Sequence, residues 1–199
     1  MHVVLRCVRA VGRLRRRAIY QAIRWATIAM AKHEQCRIIH ASIQGNHLHL
    51  IVEASDRMTL ARGMQAFQIS AAQRINRAIS KHTGRRQRGQ VFADRYHATI
   101  LASPRQVRHA LAYVLNNWRR HGEDRHGIAR RWTMDPYSSG VYFDGWKERE
   151  GELFIPPLPE KYQPLLVWFA KGWLLTTGWR RHGLVSVYEV PKGKPPQWH

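Results

Sequence analysis

Two short segments separated by a turn sequence most limit the folds open to this chain. Residues 36–43 read Cys-Arg-Ile-Ile-His-Ala-Ser-Ile, and residues 47–53 read His-Leu-His-Leu-Ile-Val-Glu. Between them stands Gln44-Gly45-Asn46, whose glycine and asparagine favour a tight reversal of the chain. The pattern predicts a β-hairpin, and a sheet containing it must be covered by the other elements of the chain.

The spacing of apolar residues on either side of the hairpin predicts an alternation of strands and helices. The pattern gives a strand at 2–9, a helix at 17–31, a helix at about 60–78 and a strand at about 96–101. Ser103 and Pro104 then suit the start of a further helix, and Gly122 suits its end. The order β-α-β-β-α-β-α predicts an α+β fold, in which the first six elements form a ferredoxin-like split βαβ sheet covered by helices.

The chain is expected to divide into a domain at 1–122 and a basic, aromatic-rich extension at 123–199. In the extension, 155–159 reads as a boundary and about 165–181 as a short helix. Its aromatic residues can either stack on unpaired bases or pack onto the domain, and packing is slightly preferred; they include Trp132, Tyr137, Tyr142, Phe143 and Trp146.

Charge limits the partners of the protein. Lys and Arg number 33 against 13 Asp and Glu, which gives a formal net charge of +20. A surface this positive suits a polyanion, because neutralised phosphates release condensed counterions. The sequence shows neither an apolar run of roughly 18 residues nor a secretory signal, so no membrane partner and a cytoplasmic location are expected. The two cysteines, Cys7 and Cys36, are expected to be buried free thiols.

Four side chains predict a metal site beside a nucleophile. His47 and His49 are two residues apart on a predicted strand, so both imidazoles lie on one face. Tyr113 and Asn117 are four apart on a predicted helix and are stacked neighbours at the border of its apolar stripe. Each residue alone also suits a purely structural role, as a satisfied histidine or an amphipathic border tyrosine. Together with the charge, the set favours metal-assisted cutting of a nucleic acid strand.

Three segments of the sequence resemble a known family. They are Gln44-Gly45-Asn46-His47-Leu48-His49-Leu50-Ile51-Val52, then the stretch from Gly89 to His97, then Ala112-Tyr113-Val114-Leu115-Asn116-Asn117. The histidine–hydrophobic–histidine motif is similar to that of the HUH endonucleases. Residues 2–122 resemble the single-tyrosine transposases of that superfamily, and in particular the REP-associated tyrosine transposases.

The resemblance implies a role for each matched position. His47 and His49 would bind a divalent cation, usually Mg²⁺ or Mn²⁺, with Asn117 as third ligand. Tyr113 would attack a phosphate of single-stranded DNA and become linked to its 5′ end. Many relatives carry glutamine in place of Asn117, and asparagine is shorter by one methylene. The expected partner is single-stranded DNA with a hairpin, bound by a monomer or a homodimer. We hypothesise that the extension helps to recognise the hairpin.

Basic clusters are the candidates for contacts with DNA. Lys81 and the glycine-containing loop that follows it suit a phosphate backbone, and so does the end of the tyrosine helix; the arginines concerned are Arg85, Arg86, Arg88, Arg95, Arg119 and Arg120. The alternative is a catalytically inactive, domesticated transposase that acts as a DNA- or RNA-binding module. An RNA-binding ferredoxin-like domain is a third class, but the hairpin strands lack the aromatic platform of such domains.

Overall fold

A computed structural model describes residues 1–125, 127–149 and 162–191. Its strands are β1 (His2–Arg6), β2 (Cys36–Ile43), β3 (His47–Ala54) and β4 (His97–Thr99). Its helices are α1 (Arg17–Met30), α2 (Arg57–Thr83), α3 (Pro104–Arg120) and the single turn α4 (Trp173–Thr176). Within these ranges, no helix is both long and apolar enough to cross a membrane.

The four strands form one antiparallel sheet in the order β2-β3-β1-β4. Strand β3 is inserted between β1 and β2, as a split βαβ arrangement requires. The ferredoxin-like α+β fold and its element order are therefore confirmed. Ser103 caps α3 by accepting a hydrogen bond from the Gln106 amide, and Pro104 occupies the first turn, both as predicted.

Each face of the sheet carries its own hydrophobic core. Leu48, Leu50 and Val52 of β3 point to one face and are buried under α1 and α2. Ile51 points to the other face, where it packs with the apolar stripe of α3. Four residues form that stripe, and all are buried: Val107, Leu111, Val114 and Trp118. His47 and His49 share the α3 face, because side chains alternate along a strand.

The extension covers the outer edge of β2, which no other strand of the described sheet occupies. The Ser139 amide donates to the Ala41 carbonyl at 2.8 Å, and Ser42 pairs with Ser138 in an antiparallel bridge. Further along the same edge, the Trp168 amide donates to the Ile38 carbonyl at 2.8 Å. An edge strand with unpaired backbone groups can pair with another chain and aggregate. The extension prevents such pairing along β2.

The predicted helix at 165–181 is largely wrong. Only Trp173–Thr176 is α-helical, followed by a 3₁₀ turn at Gly178–His182. Residues 162–171 form neither helix nor strand, because their backbone groups bond to other elements. The Pro164 carbonyl accepts from Arg24 of α1 at 2.8 Å, and the Lys171 and Gly172 amides donate to the Glu53 carboxylate. The boundary predicted at 155–159 lies outside the described residues.

Most aromatic residues of the extension pack onto the domain. Phe143 and Trp146 are buried in the core beneath α3, and Tyr137 stacks edge-on against Tyr20. The preferred prediction of packing is confirmed for Phe143 and Trp146. Other aromatic side chains of the extension are exposed: Tyr142, Phe169, Trp173 and Tyr188.

Candidate active site

The histidine pair lies where β3 passes beneath α3. The ring centroids of His47 and His49 are 4.7 Å apart with their planes at 89°. His49 is 1% exposed, whereas His47 remains half-buried at the beginning of the strand. The prediction that both rings lie on one face of the sheet therefore agrees with the structure.

Three residues along one edge of α3 face this pair. The Tyr113 ring meets the His49 ring edge-on, with centroids 5.1 Å apart. Two turns later, the His121 ring lies 5.8 Å from the His47 ring. Asn117 is one turn from each of them on the same edge, and it is fully buried. We conclude that the helix presents a phenol, an amide and an imidazole to the strand.

Buried polar atoms in this cluster lack hydrogen bonds. Nε2 of His49 and Oδ1 of Asn117 are both inaccessible, and neither has a partner within the described residues. Orphaned buried acceptors are rare and unfavourable, so they point to a ligand. An imidazole nitrogen and an amide oxygen, with the second imidazole of His47, form a donor set that fits a divalent cation and leaves positions for other oxygens. In the described ranges, no group of three His, Cys, Asp or Glu side chains is arranged to hold a metal ion.

The other nitrogen of each histidine is already hydrogen-bonded. Nδ1 of His47 lies 2.8 Å from Oδ1 of Asn46, and Nδ1 of His49 lies 3.1 Å from Nε2 of His2. His2 also touches Tyr113, with ring centroids 5.9 Å apart. Both rings therefore retain Nε2 for a further ligand.

Neither His2 nor His121 is predicted from the sequence to have a part in the site. The sequence could have placed His2 in the site only if the register between β1 and β3 had been known. His2 pairs with Ile51 and Val4 pairs with His49, so His2 is the diagonal neighbour of His49 on the same face. The position of His121 followed from helical spacing, since it is eight residues after Tyr113.

Burial keeps the histidines of the cluster neutral. It lowers the pKa of His47 to about 4, with smaller contributions from His121 and Arg6. Burial also lowers the pKa of His49 well below its ordinary value, helped by the neighbouring histidines. Neutral imidazole is the form that binds a metal ion, so the rings are ready to act as ligands at neutral pH.

The candidate nucleophile is half-buried and lies next to a cation. Burial raises the pKa of the Tyr113 phenol, and the positive charge of Arg120 opposes that rise. The guanidinium carbon of Arg120 lies 5.8 Å from the centre of the Tyr113 ring. A cation at this place favours both a phenolate and an approaching phosphate.

The glycine-containing basic loop joins the sheet near the histidines. The Val8 amide donates to the Val91 carbonyl, and the Ala93 amide donates to the Arg6 carbonyl, both at 2.9 Å. Arg6 is in turn the register partner of His47. This anchoring projects three exposed arginines from the His47 end of the sheet: Arg85, Arg86 and Arg88. In the described part of the chain, no ion pair involves any of the three.

Two other predicted DNA contacts lie elsewhere. Arg95 is exposed at the rim of a groove of about 1030 Å³ between β4 and α2, on the side of the sheet opposite Tyr113. Arg119 is enclosed: Nε donates to the Val187 carbonyl, one terminal nitrogen to Asp124 and the other to the Thr133 carbonyl. Its guanidinium is occupied within the protein, which disagrees with the predicted contact to DNA.

Comparisons with known proteins bear on these residues. The model of the family described as "Transposase IS200 like" matches residues 1–117. A solved structure, described as a REP-associated tyrosine transposase bound to a REP hairpin, is 19% identical in sequence with a TM-score of 0.44. The match covers 69% of this chain and 74% of that one. A search of curated proteins found no similar sequence.

Proposed function

The chain belongs to the family of IS200-like transposases, and on this premise we propose that it cuts and rejoins single-stranded DNA through Tyr113. In this proposal, His47, His49 and Asn117 hold a divalent cation, Mg²⁺ or Mn²⁺. The DNA is bound as an unpaired strand next to a hairpin.

One observation carries the proposal. The only phenol in the cluster described above is in edge contact with His49, whose Nε2 is buried without a partner. Asn117, on the same helix edge as the phenol, carries the second orphaned acceptor. A nucleophile and two unsatisfied ligand atoms on adjoining elements are expected of a site that activates a phosphate.

The reaction that these residues support is a transesterification. When bound, the cation makes the phosphorus more electrophilic and holds the scissile group in place. The Tyr113 hydroxyl oxygen forms a bond to phosphorus while the bond from phosphorus to the 3′ oxygen breaks. The phenolic proton ends on the departing 3′ oxygen, and the 5′ phosphate remains on the tyrosine. Because a phosphodiester is kept throughout, the reverse reaction rejoins a strand without a nucleotide cofactor.

The surrounding charges suit this step. Arg120 stabilises negative charge on the phenol oxygen and on the phosphate next to it. His2 and His49 are neutral because burial depresses their pKa values, so the positive charge next to the phenol comes from Arg120. Half-burial of the phenol excludes part of the surrounding water.

The charged loop supports binding of a hairpin. Arg85, Arg86 and Arg88 are exposed at the His47 end of the sheet and can contact duplex phosphates. An unpaired strand leaving such a duplex would run along the sheet towards Tyr113. A hairpin with a single-stranded flank therefore uses the loop and the cluster at the same time.

The decisive test is formation of a covalent protein–DNA complex. The full chain is incubated with labelled hairpin oligonucleotides carrying single-stranded flanks, with Mn²⁺ or with EDTA, and resolved under denaturing conditions. We expect a shifted band that requires the metal and disappears in Tyr113→Phe. His49→Ala is expected to abolish the band, while the matched substitution His40→Ala, at a buried histidine outside the cluster, leaves it detectable.

Two outcomes would contradict this proposal. A band that persists in Tyr113→Phe would assign the nucleophile to another residue. Tight binding of hairpin DNA without any covalent product, over a range of sequences and metals, would favour the alternative of an inactive binding module.

A further inference from the structure

His2 has no part in the motif that defines the histidine pair, yet it is bonded to that pair. It is the first residue of β1 and lies diagonally opposite His49 across the sheet. The two rings are stacked at 28° with centroids 5.2 Å apart, and both are buried. Their contact joins Nε2 of His2 to Nδ1 of His49 at 3.1 Å.

A hydrogen bond between two neutral imidazoles carries one proton, which leaves two arrangements. If His2 donates, His49 carries its own proton on Nε2, and that buried N–H group has no acceptor among the described residues. If His49 donates from Nδ1, its Nε2 is a bare lone pair that faces the cluster. The second arrangement buries no unpaired donor and matches the way in which metal-binding histidines are usually held.

His47 shows the same arrangement with less ambiguity. Oδ1 of Asn46 is only an acceptor, so Nδ1 of His47 must donate across their 2.8 Å contact. His47 is thereby held with its proton on Nδ1 and its Nε2 available. Both members of the pair then present the same nitrogen, although the acceptor that fixes each one comes from a different element.

We propose that His2 is a positioning residue that holds His49 in the Nδ1-protonated tautomer and so presents Nε2 as a metal ligand. This inference rests on the proposed function for the identity of the ligand, but the tautomer itself is a property of the metal-free protein. His2 does not touch the reacting atoms. Its effect passes through His49, as an acceptor behind a ligand acts in other metal sites.

The test measures the tautomer and the metal affinity separately. Nitrogen-15 NMR of the metal-free full chain should show His49 protonated on Nδ1. In His2→Phe, which retains the ring but removes the acceptor, we expect the proton to move to Nε2. The dissociation constant for Mn²⁺, measured by calorimetry, should rise roughly 10- to 100-fold. In His2→Gln, whose amide oxygen restores an acceptor, both readouts should move back towards the wild type.

The outcomes separate this inference from the proposed function. Wild-type His49 protonated on Nε2, or an unchanged tautomer in a folded His2→Phe variant, would overturn the role of His2. Absence of Mn²⁺ binding in the wild type would contradict the proposed metal site, and the NMR result would still decide whether His2 sets the tautomer. Amide NMR spectra of each variant verify that the fold is retained.

Discussion

Arg119 and Arg120 are consecutive residues at the end of α3, yet within the described residues only Arg119 has its guanidinium group hydrogen-bonded. Arg119 donates to two backbone carbonyls and to Asp124, and only 12% of its side chain is exposed. Arg120 lies over the ring of Tyr113. The first arginine therefore ties the extension to the helix, and the second contributes charge to the site.

These surroundings predict different effects for the same substitution. Arg119→Met leaves two carbonyls and a carboxylate without their donor, so the free energy of unfolding should fall by about 2–4 kcal/mol. Arg120→Met should change it by less than about 0.5 kcal/mol, while slowing formation of the covalent DNA complex. Urea denaturation and the rate of band formation measure the two effects. Equal losses of stability would show that the distinction is false.

The polar side chain of Asn117 is predicted to support metal binding and to lower the stability of the folded protein. Both polar atoms of its side chain are buried without partners in the described structure. Asn117→Leu, of similar size, should therefore leave the protein equally stable or raise the free energy of unfolding by about 1–3 kcal/mol. The same variant should weaken Mn²⁺ binding, whereas Asn117→Asp should strengthen it. A marked loss of stability in Asn117→Leu would indicate that the amide has hydrogen-bond partners after all.

Local patterns in the sequence predicted the sheet and most of the candidate site. Alternation along β3 placed His47 and His49 on one face, and helical spacing placed Tyr113 and Asn117 on one edge. Both depend only on the geometry of a single element. The complete burial of Asn117 was not predicted, because it depends on how closely α3 approaches the sheet.

Features that depend on distant backbone groups could not be predicted. The segment before Gly172 does not form the predicted helix, because it is hydrogen-bonded to Arg24 and Glu53. Both lie more than a hundred residues away in the sequence. Likewise, the contact of His2 with His49 needs the register between β1 and β3. Periodicity carries no information on such pairings.

Buried His40 predicts a fall in stability on acidification. Burial lowers its pKa from 6.5 to about 4, and its neighbours are the Ser139 hydroxyl and the Phe143 ring. Between these pH values the unfolded chain binds a proton that the folded chain does not, so stability falls as the pH is lowered from 6.5 towards 4. In His40→Asn the side chain that binds this proton in the unfolded chain is absent. The pH dependence of the wild type should therefore be steeper by up to about 1.4 kcal/mol per pH unit.

The comparison of the wild type with His40→Asn measures the contribution of His40 alone to the pH dependence of stability. His2 and His47 also have pKa values lowered to about 4, but they titrate equally in both proteins. Free energies of unfolding from urea titrations at pH 4.5, 5.5 and 7 supply the two slopes. Parallel slopes for the two proteins would mean that His40 accepts a proton in the folded state.

The basic loop is predicted to set the salt dependence of DNA binding. Replacing Arg85, Arg86 and Arg88 by glutamine should reduce the slope of log K against log salt by about 2–3, because each phosphate contact contributes about 0.7–0.9. A matched triple substitution removes the same charge from exposed positions around the end of α1 and the start of α2, at the other end of the sheet: Lys32, Arg57 and Arg62. Both variants have a formal charge of 20 − 3 = +17. Only contact with phosphate distinguishes them, so the control should change the slope by less than about 1. Equal changes in both variants would show that the DNA senses net charge alone and that the loop is not its binding surface.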